Sequence, residues 1–91
     1  MKIRKTVIVR GLVQGVNFRY FTKLTAESLG VTGWVMNQPD GSVTACFEGA
    51  ETAVRGVVDW CRSGPDNARV DGLQVVVGEF TGEFAGFAIR H

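Results

Sequence analysis

Thr6-Val7-Ile8-Val9-Arg10-Gly11-Leu12-Val13-Gln14-Gly15-Val16-Asn17-Phe18-Arg19 takes the chain from a strand, through a glycine loop, into a helix. Residues 5–10 read as a strand, with Val7 and Val9 on one face and Thr6, Ile8 and Arg10 on the other. Gly11 and Gly15 then mark a loop. Glycine takes positive φ readily and leaves its N–H unshielded by a side chain. Inward-pointing N–H groups make an anion-binding concavity, and a helix start adds partial positive charge. Arg19, where the helical pattern begins, adds a planar and permanently charged fork suited to phosphate oxygens. Strand, glycine loop, arginine and helix together form a candidate oxyanion cradle. The spacing matches neither a G-x-x-x-x-G-K-[ST] nor a G-x-G-x-x-G nucleotide loop.

Outward from this stretch the element order can be read along the chain. The first helix runs from Phe18 or Arg19 to Leu29, with Phe21, Leu24, Ser28 and Leu29 as its inward stripe and Gly30 as a left-handed cap. Val31 to Met36 form a second strand. Asn37-Gln38-Pro39-Asp40-Gly41 is a tight turn, and Ser42 to Glu48 form the return strand. There Val43, Ala45 and Phe47 alternate with Thr44, Cys46 and Glu48, which suggests one covered and one wetter sheet face. A second helix spans about Glu51 to Arg62, with Val54, Val57, Val58 and Cys61 inward. Ser63 to Asn67 stop it. Arg69 to Val77 give a fourth strand with a kink at Gly72, residues 78–86 are irregular, and Phe87-Ala88-Ile89 closes the chain. The order is βαββαβ plus a short extra strand. This predicts an α+β, ferredoxin-like sandwich: an antiparallel sheet with two helices on one face.

The chain has 91 residues, of which 45% are hydrophobic and 21% charged. That balance is expected of one soluble domain, residues 1–91. A net charge of +1 gives no broad attraction to nucleic acid or anionic membrane. No apolar run reaches the ~20 residues of a membrane span, and no signal-peptide pattern opens the chain. Cys46 and Cys61 lack metal-ligand spacing and are expected as reduced thiols in a cytoplasmic protein.

The inventory of chemical groups is sparse. His91, the one histidine, reads as a solvated tail. The nine acidic residues show no pair spaced for joint acid/base work, and each reads as a solvated or turn residue. Ser42 and Ser63 have no activating base. Any chemistry must therefore run without a protein base, a metal or a covalent nucleophile. Such a substrate should carry an anion for the cradle and a leaving group that departs unprotonated. An acyl phosphate meets both conditions, because its leaving carboxylate belongs to an acid of pKa about 4. Phosphoryl transfer asks mainly for positioning and charge stabilisation, which backbone N–H groups and one arginine can supply.

Two runs carry a family resemblance. Gly11, Val13, Gln14, Gly15, Val16, Phe18 and Arg19 fill a G-x-V-Q-G-V-x-F-R pattern, with Asn17 at its open position. Gly33, Trp34, Asn37, Gly41, Val43 and Gly49 fill a second, G-aromatic-x-x-N-x-x-x-G-x-V run closed by a later glycine. Both resemble the signatures of the acylphosphatase family, and Gly86-Phe87-Ala88-Ile89-Arg90 resembles that family's closing strand. The resemblance implies a free-standing enzyme that hydrolyses acyl phosphates to a carboxylate and inorganic phosphate. It implies Arg19 as the phosphate-binding arginine and Asn37 as the residue that positions the water. It also implies a cradle of backbone N–H groups over Gln14, Gly15, Val16, Asn17 and Phe18. No metal and no cofactor are expected. The partners expected are a small acyl phosphate and inorganic phosphate, with no nucleic acid and no membrane, and the default state is a monomer.

Two other readings stand beside this one. The same cradle could hold a phosphorylated metabolite as a non-catalytic sensor. RNA recognition motifs share the βαββαβ order, but their third strand is rich in aromatic and basic residues. Here Ser42 to Glu48 holds one aromatic, Phe47, and no basic residue. No residue set in the loops names the acyl group.

Overall fold

The computed structural model describes residues 1–91. Its strands are β1 (Lys2–Leu12), β2 (Thr32–Asn37), β3 (Val43–Ala50), β4 (Arg69–Gly78) and β5 (Phe87–Arg90), and its helices are α1 (Phe18–Ser28) and α2 (Glu51–Cys61). They form one sheet in the order β4-β1-β3-β2-β5. Every pairing is antiparallel except that of β2 with β5. The βαββαβ order is as expected, and the edge strand β5 makes the sheet mixed.

Val7 and Val9 of β1, Val35 of β2, and Val43, Ala45 and Phe47 of β3 are fully buried beneath the helices. Val54, Val57, Val58 and Cys61 press on them from α2 at the helical spacing the sequence predicts. Phe47 and Phe87 stack at 5.7 Å and join the sheet centre to β5. Burying each of these valine and phenylalanine side chains contributes about 1.5–3 kcal/mol.

The inward face of α1 differs from the expectation. Phe18, Thr22 and Ala26 are buried, whereas Phe21, Leu24 and Leu29 are exposed by about two-fifths. Thr22 and Ala26 follow the Phe18 ring along that inward face. The Thr22 hydroxyl donates to the Phe18 carbonyl at 2.7 Å, so it can be buried without an unmet polar group. Tertiary packing thus overrode the stripe of larger side chains. The helix ends as predicted: Gly30 takes φ 72°, its N–H donates to Glu27 and that of Val31 donates to Ala26.

Gly33 has φ 139°, and a Cβ there would collide with the Cys46 carbonyl oxygen of β3. In β4 the irregularity lies beside Gly72: Arg10 pairs with Gly72 and Gly11 with Val70, which leaves Asp71 as the extra residue.

The sheet face opposite the helices is less wet than the alternation suggests. Residues 79–86 run from β4 to β5 and bury Glu48, which is 0% exposed. The Glu48 carboxylate, read from sequence as solvated, accepts from Thr81 N (2.9 Å), Gly82 N (3.0 Å) and Thr81 Oγ1 (3.1 Å). Arg4 lies 3.7 Å away and also donates to Cys46 Sγ at 3.1 Å. Burial pushes the pKa of Glu48 up, but the Thr81 and Gly82 donors and the Arg4 charge outweigh it, and the result is below the usual carboxylate range. Cys46 and Cys61 are free and buried. Burial pushes the Cys61 thiol up to about 12.

Candidate active site

The end of β1, the start of α1 and the end of β2 meet at one corner of the sheet, with β5 alongside. Gly15 and Asn17 both take left-handed backbone conformations, with φ of 76° and 61°. Asn17 is the only non-glycine residue with positive φ. It stands at the N-cap of α1, yet its side chain makes no capping hydrogen bond. Strain of this kind in a non-glycine residue costs about 1–3 kcal/mol and persists where the surroundings impose it. Alternating left-handed residues turn successive N–H groups toward a common side. None of the backbone N–H groups from Gln14 to Arg19 has an acceptor within the protein.

A cavity of about 320 Å³ opens beside this loop and is lined by Gly15, Asn17, Arg19, Asn37, Ile89 and His91, among others. Arg19, in the first turn of α1, is half-buried. Its Nη1 donates to the Arg90 carbonyl at 3.3 Å and lies 3.2 Å from His91 Nδ1. The end of β5 therefore holds one corner of the guanidinium, and Nη2 and Nε have no protein acceptor. Asn37 is the last residue of β2, paired with Val43. Its Oδ1 is the one buried side-chain polar atom with no hydrogen-bond partner.

The two signature segments are tied to each other. Gln14 Nε2 donates to the carbonyls of Gln38 (2.7 Å) and Ser42 (2.9 Å), on both sides of the β2–β3 hairpin. Within that hairpin Asp40 accepts from Ser42 Oγ (2.6 Å) and Ser42 N (3.0 Å), and it pairs with Arg10 at 3.0 Å. The Ser42 hydroxyl, the Ser42 N–H and Arg10 together lower the Asp40 carboxyl to about 2.

Arg19, Asn37, Gly15, Asn17 and Phe18 thus line one cavity, with Val16 on the loop beside them. Gln14 is the exception among the side chains: it turns into the hairpin. Sequence reading placed His91 in a solvated tail. It is exposed but reaches the cavity against Arg19, because the parallel pairing of β5 with β2 brings the chain's last residues alongside Asn37. Only that pairing reveals it. The Arg90 guanidinium lies 4.8 Å over Trp34, and Trp60 packs one part of its ring on Phe18 at 5.4 Å.

Comparison with known proteins places the chain in a family and matches its fold. The profile of the Acylphosphatase family matches residues 5–89. A protein named Acylphosphatase from Geotalea uraniireducens (strain Rf4) is 57% identical over 91 residues, which cover 100% of both chains. Another of that name, from Geobacter metallireducens, is 54% identical over 100% of this chain and 98% of its own length. The crystal structure of acylphosphatase from Bacillus subtilis superposes with a TM-score of 0.93 at 32% identity, covering 98% of this chain and 99% of that one. No helix is long and apolar enough to cross a membrane. In motif, in sheet order and in these relatives, the chain belongs to the acylphosphatase family of enzymes.

Proposed function

We propose that this protein hydrolyses the carboxyl–phosphate bond of acyl phosphates with its own backbone amides, Arg19 and Asn37 as the working groups. The phosphoryl oxygens take the N–H groups of residues 14–19 and the free side of the Arg19 guanidinium. Asn37 holds the attacking water through its unpartnered Oδ1. Water oxygen bonds to phosphorus as the phosphorus–acyl oxygen bond breaks, and the carboxylate leaves with the electron pair. The water's protons pass to phosphate oxygens and solvent. No general acid is required, because the leaving carboxylate is already a weak base.

One observation carries the reading. Gly15, Asn17 and Phe18, whose N–H groups belong to a run of six without a protein acceptor, line the same cavity as Arg19 and the buried, unpartnered Asn37 Oδ1. A buried polar atom is nearly always paired within a fold, so the unpartnered Asn37 Oδ1 beside these free donors supports a site built for an oxyanion and a water.

The test is the loss of ultraviolet absorbance of benzoyl phosphate in the presence of chelator, with inorganic phosphate as competitor. Expected is chelator-resistant turnover that phosphate inhibits competitively. Phosphate binding without turnover would instead support a sensor.

A further inference from the structure

A second cavity, of about 450 Å³, shares Asn17 with the first and is otherwise lined by other parts of the chain. Val16, Phe21, Trp60, Pro65, Asp66 and Asn67 are among its walls. These belong to the glycine loop, α1, the end of α2 and the connection to β4, and no residue of β2 or β5 takes part. The second cavity therefore lies across the loop from Asn37.

Displacement at phosphorus runs in line, so the entering water and the departing carboxylate occupy opposite sides of the phosphoryl group. With water at Asn37, the leaving group points away from β2, over Asn17. Phe21 stands there, 39% exposed and edge-on to Tyr20 at 5.2 Å. Packing does not account for it, since the inward face of α1 is Phe18, Thr22 and Ala26. Trp60 presents the part of its ring not covered by Phe18. Asp66 is the one charged residue on these walls, and it forms no ion pair.

Building on the proposed function, we infer that the groove between α1 and the 64–67 turn is the subsite for the acyl group. Its ligand class is an uncharged aromatic or apolar acyl chain, which Phe21 and Trp60 cover and which leaves Asp66 in water. Acyl groups bearing a second negative charge are disfavoured by Asp66.

The experiment compares benzoyl, acetyl and succinyl phosphates on the parent protein and two variants. Phe21→Ala should raise KM for benzoyl phosphate about fivefold, the loss expected for part of an aromatic contact area. KM for acetyl phosphate, too short to reach Phe21, should stay within about twofold, as should the inhibition constant of inorganic phosphate. Asp66→Lys, at an exposed turn, should lower KM for succinyl phosphate at least about threefold by turning repulsion into attraction. Equal effects of Phe21→Ala on benzoyl and acetyl phosphate, or none on either, would overturn the subsite. So would an unchanged succinyl KM in Asp66→Lys, which decides the matter alone if circular dichroism shows Phe21→Ala unfolded. A parent protein that hydrolyses none of the three removes the proposed function itself, and the subsite with it.

Discussion

The Gln14 side-chain amide donates to the Gln38 carbonyl at 2.7 Å, across 24 residues of sequence, and so fastens the glycine loop to the β2–β3 hairpin. The Gln38 and Ser42 carbonyls it reaches also accept from Gly41 N and Gln38 N. Gln14→Ala should therefore cost only about 1 kcal/mol of stability. It frees the cradle to shift relative to Asn37, and kcat should fall about tenfold, as expected of a small loss of alignment. Thermal denaturation beside steady-state kinetics checks this. A normal kcat would make the bridge purely structural.

Asn37→Ala separates chemistry from folding. Its Oδ1 has no partner, so truncation abandons no hydrogen bond of that atom, and the melting temperature should hold or rise slightly. Loss of one positioned group should lower kcat by about 10²–10³. Phosphate inhibition should be unchanged. Near-parental kcat would take Asn37 out of the reaction.

Arg19→Ala should behave oppositely in binding. The Arg90 carbonyl it leaves is exposed to water, so the fold should survive. The inhibition constant of inorganic phosphate should rise at least about tenfold, the value of one charge-assisted contact. Isothermal titration with phosphate measures it, and an unaltered affinity would exclude Arg19 from the cradle.

Glu48 should govern the acid limb of stability. Its folded pKa lies below the ordinary value, so its stabilisation is complete above about pH 4.3, the unfolded value, and fades as pH falls through the folded one. Asp40 acts likewise between its ordinary 3.8 and about 2, though it is an exposed pair partner and contributes less. Glu48→Gln should flatten the loss of melting temperature below pH 4.5. Glu48→Ala, which strands the Thr81 and Gly82 donors and Arg4, should cost about 3 kcal/mol at pH 7. An acid limb unchanged in Glu48→Gln would assign it to other carboxylates.

Gly33→Ala should abolish stable folding. The residue combines φ 139° with backbone of β3 where a Cβ would sit, and neither strand can yield without losing its register. A cooperative melt within about 5 °C of the parent, roughly 1 kcal/mol for a domain of this size, would contradict that. This glycine, part of the second signature run, serves close strand approach.

The sequence determined the element order, the inward faces of β1, β3 and α2, and the two glycine-bearing runs at the site. Those features are local: period-two and period-3.6 alternation, turn chemistry at Pro39-Asp40-Gly41, and glycine where φ is positive. Only the tertiary structure decided which face of α1 is buried. Large side chains outweigh Thr22 in any local hydrophobic reading, and only the packing of α1 on the sheet turns Phe18, Thr22 and Ala26 inward. Tertiary contact also decided that Glu48 is buried, because its donors arrive 33 and 34 residues later in the chain. His91 reaches Arg19 by the pairing of β5 with β2, and the groove at Phe21 exists because α1 turned that ring outward. Each is set by contacts distant in sequence, which no local pattern encodes.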